Sequence, residues 1–214
     1  GSQILELDPL KRATKMLVGL AEELKTVGIT LEHLDIGGGL GISYDGKGAP
    51  TAGEYAEEIL EVTKNSGMPL ILEPGRAIVG PAGVLVTRVV DVKPQPGGRW
   101  FVVVDAGMTE LIRPALYDAY HRIETLSVPF GPEVVCDIVG PVCETSDVVG
   151  LNRMMPLPEV GDLLVVRDTG AYGAAMSSNY NRRPMAPEVL VENGSWRVIR
   201  RRQRIEDMLA CESQ

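Results

Sequence analysis

The sequence is poor in cysteine, and its three cysteines, Cys136, Cys143 and Cys211, are an odd number. No apolar run approaches the roughly 20 residues that a membrane helix needs, and no secretory signal is visible. Basic residues are also few: the sequence has 21 Lys and Arg and 29 Asp and Glu, which gives a net charge of −8. These shortages predict reduced thiols in a cytoplasmic protein that binds neither membranes nor nucleic acid.

What the sequence does contain predicts two kinds of structure. Two amphipathic helices, over about 8–27 and 51–66, alternate with short apolar strands over 31–36 and 69–73. β-rich runs then follow with few helices between them, at residues 84–92, 100–105, 134–139, 163–167, 189–191 and 196–200. The last two runs flank Asn193-Gly194, which predicts a hairpin. We therefore expect an α/β segment over residues 1–82 and a mainly antiparallel β domain over 83–214, closed by a helix near 204–211.

Two motifs stand at the ends of the predicted α/β strands, where parallel sheets bind ligands. Gly37-Gly38-Gly39 could aim backbone N–H groups at a phosphate, or could be a tight turn without a ligand. The run 70–72 predicts a strand buried on both faces, and Glu73-Pro74-Gly75-Arg76 follows it. There Gly75 could let a backbone N–H approach an anion closely, while Glu73 could pair with a buried cation or with a protonated ring nitrogen. A strand cap with a surface ion pair is the alternative.

Two more constellations lie in the predicted β domain. A helical turn over Arg113-Pro114-Ala115-Leu116-Tyr117 would put its arginine and tyrosine on one side, as a clamp for a carboxylate. An ordinary helix edge explains the spacing equally well, and His121 on the same side is more often structural than catalytic. Cys143 and Glu144 sit between β runs, where a thiol beside a carboxylate is either an acid/base site or inert.

The motifs GGGLGISY, EPGR, DAGM, LIRPALYDAYH, GPVCETSD and GAY occur in this order and closely resemble those of the diaminopimelate decarboxylases. The likeness covers essentially the whole chain. These are pyridoxal-phosphate enzymes of the alanine-racemase-like fold type, built from a (β/α)8 barrel and a C-terminal β domain. The resemblance implies that residues 1–82 are part of such a barrel, and that the protein converts meso-2,6-diaminopimelate to L-lysine and carbon dioxide without a metal ion.

The resemblance also implies roles for individual residues. The cofactor would be bound by Ser2, Gly38, Gly39, Glu73, Gly75, Arg76 and Tyr172, with Glu73 keeping the pyridine nitrogen protonated so that the ring is a better electron sink. The substrate would be bound by Arg76, Arg113, Tyr117, Glu144 and Tyr172, with Glu144 facing its distal ammonium. Cys143 would donate a proton across the interface of a homodimer, so that each site needs two subunits.

Glu144 and the Arg-Pro-Ala-Leu-Tyr element favour diaminopimelate over ornithine or arginine, because ornithine decarboxylases carry Asp after the cysteine and lack that element. The lysine to which the family attaches its cofactor has no counterpart among the lysines of this sequence. We therefore expect this polypeptide alone to be inactive and poorly stable, with that lysine upstream of Gly1. The alternatives are an ornithine- or arginine-type decarboxylase, or a truncated binding or regulatory module without catalysis.

Overall fold

The structure, a computed structural model, describes residues 1–126 and 131–212. It divides into two compact units, Gly1–Gly83 and Val84–Gln214, and each unit has its own cluster of buried apolar side chains. Within the described ranges, no helix has both the length and the apolar character required to cross a membrane.

Two amphipathic helices make up most of the first unit. α1 spans Leu7–Thr26 and α2 spans Ala52–Thr63, so both predicted helices are present, although α1 begins one residue before the predicted start at residue 8. A capping box starts α2: the Thr51 hydroxyl accepts from the Glu54 N–H at 3.1 Å, and the Glu54 carboxylate accepts from the Thr51 N–H at 2.7 Å. The small core between the helices and the strands contains Leu10, Leu40, Tyr55 and Ile59.

The strands of this unit are shorter than predicted. β1 is Leu34–Asp35 and β2 is Leu70–Ile71, and they pair in parallel with Leu34 opposite Leu70. The prediction that the second strand is buried on both faces is wrong for this chain, because Ile71 is 41% and Leu72 40% exposed. β1 is the only strand that pairs with β2 among the described residues. A short helix, α3, follows over Gly75–Val79 and was not predicted.

A six-stranded sheet dominates the second unit. Its strands are β3 (Leu85–Gln95), β4 (Arg99–Val104), β5 (Ile123–Thr125), β6 (Glu133–Val139), β7 (Val148–Pro156) and β8 (Leu163–Val166). They lie in the order β5-β8-β3-β4-β6-β7, and every neighbouring pair is antiparallel except β4 and β6. The second unit is therefore mainly antiparallel, as expected, although β5 and β7 were not predicted.

One cluster of apolar side chains holds this sheet together. Its members come from five of the six strands and from the segment after β4, and all are almost completely buried: Val89, Val102, Val104, Leu111, Cys136, Ile138, Val149, Met155, Leu164 and Val166. Burial of a branched aliphatic side chain contributes roughly 1.5–3 kcal/mol. A sheet packed in this way is a rigid base for the loops at its ends.

The remaining elements of the second unit are short. α4 spans Arg113–Tyr117, two 3₁₀ turns span Ala174–Met176 and Tyr180–Arg182, and α5 spans Ile205–Leu209. β9 (Glu188–Glu192) and β10 (Ser195–Arg200) form the hairpin that the sequence predicted. Its two turn residues, Asn193 and Gly194, have φ values of 50° and 75°, as a tight hairpin turn requires.

Candidate functional site

In the first unit, the carboxyl ends of β1 and β2 meet at the Gly37–Gly39 turn. The Ile36 N–H donates to the Ile71 carbonyl at 3.1 Å, and the Glu73 N–H donates to the Gly37 carbonyl at 2.9 Å. Gly38 lies so close to the second strand that a Cβ on it would overlap the carbonyl oxygen of Glu73. The two predicted motifs therefore lie side by side, and only glycine permits this approach.

Arg76 lies in α3 and is held by two hydroxyl groups. Its Nη1 donates to the Tyr44 hydroxyl at 2.6 Å, and its Nη2 donates to the Ser2 hydroxyl at 2.9 Å. The structure thus brings Arg76 and Ser2 together although they are far apart in sequence. Tyr44, which is 8% exposed, was not predicted as a site residue. Its position at the end of the GGGLGISY motif was the available signal.

This edge of the first unit offers donors and one carboxylate. Glycine N–H groups, a guanidinium and a hydroxyl are the donors that proteins use to bind phosphate. Gly75 is exposed, and a Cβ placed on it would meet nothing within 4 Å. Glu73 is exposed as well and adds negative charge at the end of the neighbouring strand. The edge can therefore bind a ligand that carries both a negatively charged group and a positively charged group.

In the second unit, the two predicted clamp residues occupy opposite ends of α4 and different environments. Arg113 is 6% exposed and Tyr117 is 63% exposed. Nη1 of Arg113 lies 2.8 Å from Nε2 of His121, whose Nδ1 lies 2.8 Å from the carbonyl oxygen of Arg167. The predicted helical turn is present, whereas the joint clamp of Arg113 and Tyr117 stays a prediction.

His121 has one tautomer that satisfies both of its contacts. A carbonyl oxygen only accepts, so Nδ1 carries the proton and Nε2 accepts from the Arg113 guanidinium. Burial lowers the pKa of His121 to about 4, and the positive charge of Arg113 adds to this lowering. The imidazole is therefore neutral near pH 7 and connects α4 to the end of β8.

Cys143 and Glu144 lie on the loop between β6 and β7. Both side chains are exposed, and the Glu144 carboxylate accepts from the Tyr180 hydroxyl at 3.3 Å. Cys136 differs, because burial raises the pKa of its thiol to about 11. Of these two thiols, only that of Cys143 is accessible to a ligand.

Tyr172 stands in a turn that leaves the end of β8. Its backbone has φ 63°, in the left-handed region that tyrosine seldom adopts, and its side chain is 44% exposed. A Cβ on the next residue, Gly173, would overlap the carbonyl oxygen of Thr169. Such a constrained turn occurs most often near functional sites.

Among residues 1–126 and 131–212, no three His, Cys, Asp or Glu side chains are grouped so that they could hold a metal ion. Within the first unit the structure joins Ser2, Gly38, Glu73 and Arg76. Within the second unit it places Cys143 next to Glu144 and buries Arg113 against His121.

Comparisons by sequence and by structure both lead to decarboxylases. The family described as "Pyridoxal-dependent decarboxylase, C-terminal sheet domain" matches residues 20–170. A diaminopimelate decarboxylase of Neisseria meningitidis serogroup B is 48% identical over 212 residues, which are 99% of this chain and 51% of that protein. The chain thus spans about half the length of the curated relatives it matches.

Solved structures give the same result. The crystal structure of diaminopimelate decarboxylase from Helicobacter pylori complexed with L-lysine has a TM-score of 0.93 and 39% identity, over 99% of this chain and 52% of that one. The lysine/ornithine decarboxylase from Vibrio vulnificus complexed with cadaverine has a TM-score of 0.76 and 26% identity, over 85% and 50% of the two chains.

Proposed function

The chain belongs to the pyridoxal-dependent decarboxylase family, and on that premise we propose that the protein containing it decarboxylates meso-2,6-diaminopimelate to L-lysine and carbon dioxide. The 48% identity to a diaminopimelate decarboxylase supports this substrate. The observation that carries the proposal is the edge of the first unit, where Glu73, Arg76 and a glycine turn stand at the joined ends of two parallel strands. In this proposal the protein is a cytoplasmic carboxy-lyase of lysine biosynthesis.

Pyridoxal 5′-phosphate fits the donors of the first unit. We assign its phosphate to the glycines of the turn and of α3, to Ser2 and to Arg76, because a phosphate needs several N–H and O–H donors and a positive charge. Tyr44 and Ser2 fix the guanidinium of Arg76, and the space beside Gly75 is open. When bound, this cofactor draws electrons from the substrate's α-carbon and so eases the loss of carbon dioxide.

Glu73 is the counter-ion of the pyridine nitrogen in this proposal. A carboxylate next to a ring nitrogen favours the protonated ring, and a protonated ring withdraws electrons more strongly. The backbone of Glu73 is fixed by its bond to the Gly37 carbonyl. Its carboxylate therefore starts from a defined position rather than from a mobile loop.

Residues of the second unit are assigned to the substrate. The distal end of diaminopimelate carries a carboxylate, which we assign to Arg113 and Tyr117, and an ammonium, which we assign to Glu144. A guanidinium has five N–H donors, so the bond of Arg113 to His121 is compatible with a carboxylate ligand. Tyr172 is assigned to both the cofactor and the substrate, as the resemblance implies.

Cys143 is assigned as the acid that returns a proton to the α-carbon after carbon dioxide has left. Its thiol is exposed, so it is able to enter the site of a second subunit. We accordingly propose a homodimer with shared active sites. In this architecture residues 1–82 belong to a (β/α)8 barrel, as the parallel pairing of β1 and β2 suggests, and residues 83–214 form the C-terminal β domain.

The test compares substrates on the full-length protein loaded with pyridoxal phosphate. We expect kcat/KM for meso-diaminopimelate to exceed that for ornithine or arginine by about 10⁴, because a site built to bind a distal carboxylate rejects a ligand whose distal end lacks one. Arg113→Met should lose most of this preference, whereas Arg12→Met, at an exposed position of α1, should retain it. Equal turnover of ornithine or arginine would contradict the substrate assignment, and no turnover of any of the three would favour a non-catalytic module.

A further inference from the structure

Asp147 immediately precedes β7, and its carboxylate joins two separate segments of the second unit. The residue is 3% exposed. Oδ1 accepts from the Met108 N–H at 2.6 Å, and Oδ2 accepts from the Val142 N–H at 2.6 Å. Short hydrogen bonds from backbone N–H groups to a buried carboxylate are among the strong ones. One side chain therefore ties the loop of Cys143 to the segment that follows β4.

The backbone of Asp147 closes the same loop. The Gly140 N–H donates to the Asp147 carbonyl at 2.9 Å, and the Asp147 N–H donates to the Glu144 carbonyl at 3.1 Å. Val142, which precedes Cys143, is buried, whereas Cys143 and Glu144 are exposed. The loop is thus anchored on both sides of the two residues that are proposed to meet the substrate.

Two glycines make room for this carboxylate. A Cβ on Gly107 would lie 2.5 and 2.8 Å from the two carboxylate oxygens of Asp147, and a Cβ on Gly140 would overlap both of them. Neither glycine has a positive φ, so backbone conformation does not require glycine at these positions. The space that the carboxylate occupies does require it.

A third segment, which contains Ser178 and Tyr180, also contacts the loop of Cys143. The Tyr180 hydroxyl donates to the Glu144 carboxylate at 3.3 Å, and the Ser178 N–H donates to the Thr109 carbonyl at 3.0 Å. The segment that Asp147 holds through Met108 therefore also holds the partner of Glu144. The positions of Cys143 and Glu144 depend on one connected set of bonds with Asp147 at its centre.

We propose that Asp147 is a positioning residue that sets the place of the Cys143 thiol and the Glu144 carboxylate at the active site. The inference rests on the proposed function, because only that function gives Cys143 and Glu144 their roles. Asp147 itself touches neither substrate nor cofactor, and it acts through the loop. Asp147→Asn is the closest perturbation, because an amide keeps the size of the side chain but has one accepting oxygen for two N–H donors.

The first arm of the test needs no activity. In full-length protein carrying Asp147→Asn, we expect amide hydrogen exchange at Val142 or Met108 to become about 10–100-fold faster, with the β6–β7 ladder unchanged. Asp162→Asn is the matched control, because the Asp162 carboxylate accepts a hydrogen bond from a backbone N–H in an exposed turn. It should leave the exchange rates of the Val142 and Met108 amides unchanged. Unchanged exchange in Asp147→Asn would overturn the inference.

The second arm measures catalysis with diaminopimelate. A displacement of about 1 Å can cost about 100-fold in rate, so Asp147→Asn should lower kcat by about 10–100-fold. In a Cys143→Ala background the same change should lower kcat less than about 3-fold, because the thiol that serves the proton step is gone, and the remaining displacement of Glu144, which binds the substrate, should appear in KM. Equal losses in both backgrounds would mean a general structural role and would refute the inference.

Gly140→Ala provides a second variant if Asp147→Asn does not fold. This variant keeps the carboxylate of Asp147 but displaces it. It should therefore show the same faster amide exchange at Val142 and the same dependence of the loss in kcat on Cys143. Additive losses with Cys143→Ala would again count against the inference. A wild-type protein without any decarboxylase activity would refute the proposed function instead, while the exchange arm would still decide whether Asp147 holds the loop.

Discussion

The neutral state of His121 makes the stability of the second unit depend on pH in a way that can be calculated. The imidazole titrates near 6.5 in an unfolded chain, and burial lowers its pKa to about 4 in the folded protein. As the pH falls, the unfolded chain therefore binds a proton before the folded protein does. The free energy of unfolding is unaffected above about pH 6.5 and decreases between about pH 6.5 and 4.

At pH 5, about 1.5 units below the pKa of the unfolded chain, this unequal protonation lowers the free energy of unfolding by about 2 kcal/mol. His121→Gln removes the titration but keeps an oxygen that can accept from Arg113. We expect this variant to be about 1–3 kcal/mol less stable near pH 7.5, because it loses the bond to the Arg167 carbonyl. The difference should shrink by about 2 kcal/mol on moving to pH 5.

Urea unfolding at a series of pH values measures this difference in the free energy of unfolding directly. Tryptophan fluorescence is a suitable signal, because both tryptophans of the sequence, Trp100 and Trp196, lie in the second unit. The many carboxylates of the chain titrate in both proteins, so their contribution cancels in the comparison. A constant difference in stability between wild type and His121→Gln from pH 7.5 to 5 would show that His121 is not held neutral by burial.

Three further outcomes are expected. Gly38→Ala should weaken pyridoxal phosphate binding by at least about 10-fold in a fluorescence titration, because its Cβ overlaps a backbone carbonyl, whereas Gly53→Ala, whose Cβ has ample room, should not. Thr51→Ala should lower the free energy of unfolding by about 1 kcal/mol through loss of the α2 cap, and an unchanged urea midpoint would contradict this. Iodoacetamide at pH 8 should modify Cys143 well before the buried Cys136 by peptide mass spectrometry, and equal rates would refute the burial argument.

The helices and most strands could be predicted because their signals are local. α1 and α2 follow from apolar spacing with polar residues near their starts, and the β9–β10 turn follows from Asn193-Gly194. β7 was missed because its alternation is interrupted at Gly150 and at Asn152, which has φ 53°. β5 has three residues, too few for a pattern to be recognised.

More of the candidate site could be predicted from the sequence in the first unit than in the second. The Glu73–Arg76 motif and the glycine turn are each continuous in sequence and follow strands, so their position could be predicted from the strand ends. Asp147 stood within a recognised motif, but its role could not be predicted because its carboxylate binds Met108, 39 residues away. His121 likewise binds Arg167, 46 residues away, and no pattern of neighbouring residues indicates such a contact.

The two units therefore fix their candidate residues by different physical means. In the first unit, backbone bonds between parallel strands set the place of Glu73, and glycine allows the strands' ends to meet. In the second unit, buried polar side chains hold the loops: Asp147 orders the loop of Cys143, and His121 holds Arg113. Backbone ladders do not titrate, whereas the imidazole of His121 does. Acid should accordingly lower the free energy of unfolding of the second unit through His121 below about pH 6.5, whereas the Arg113–His121 contact itself is lost only near the folded pKa of about 4.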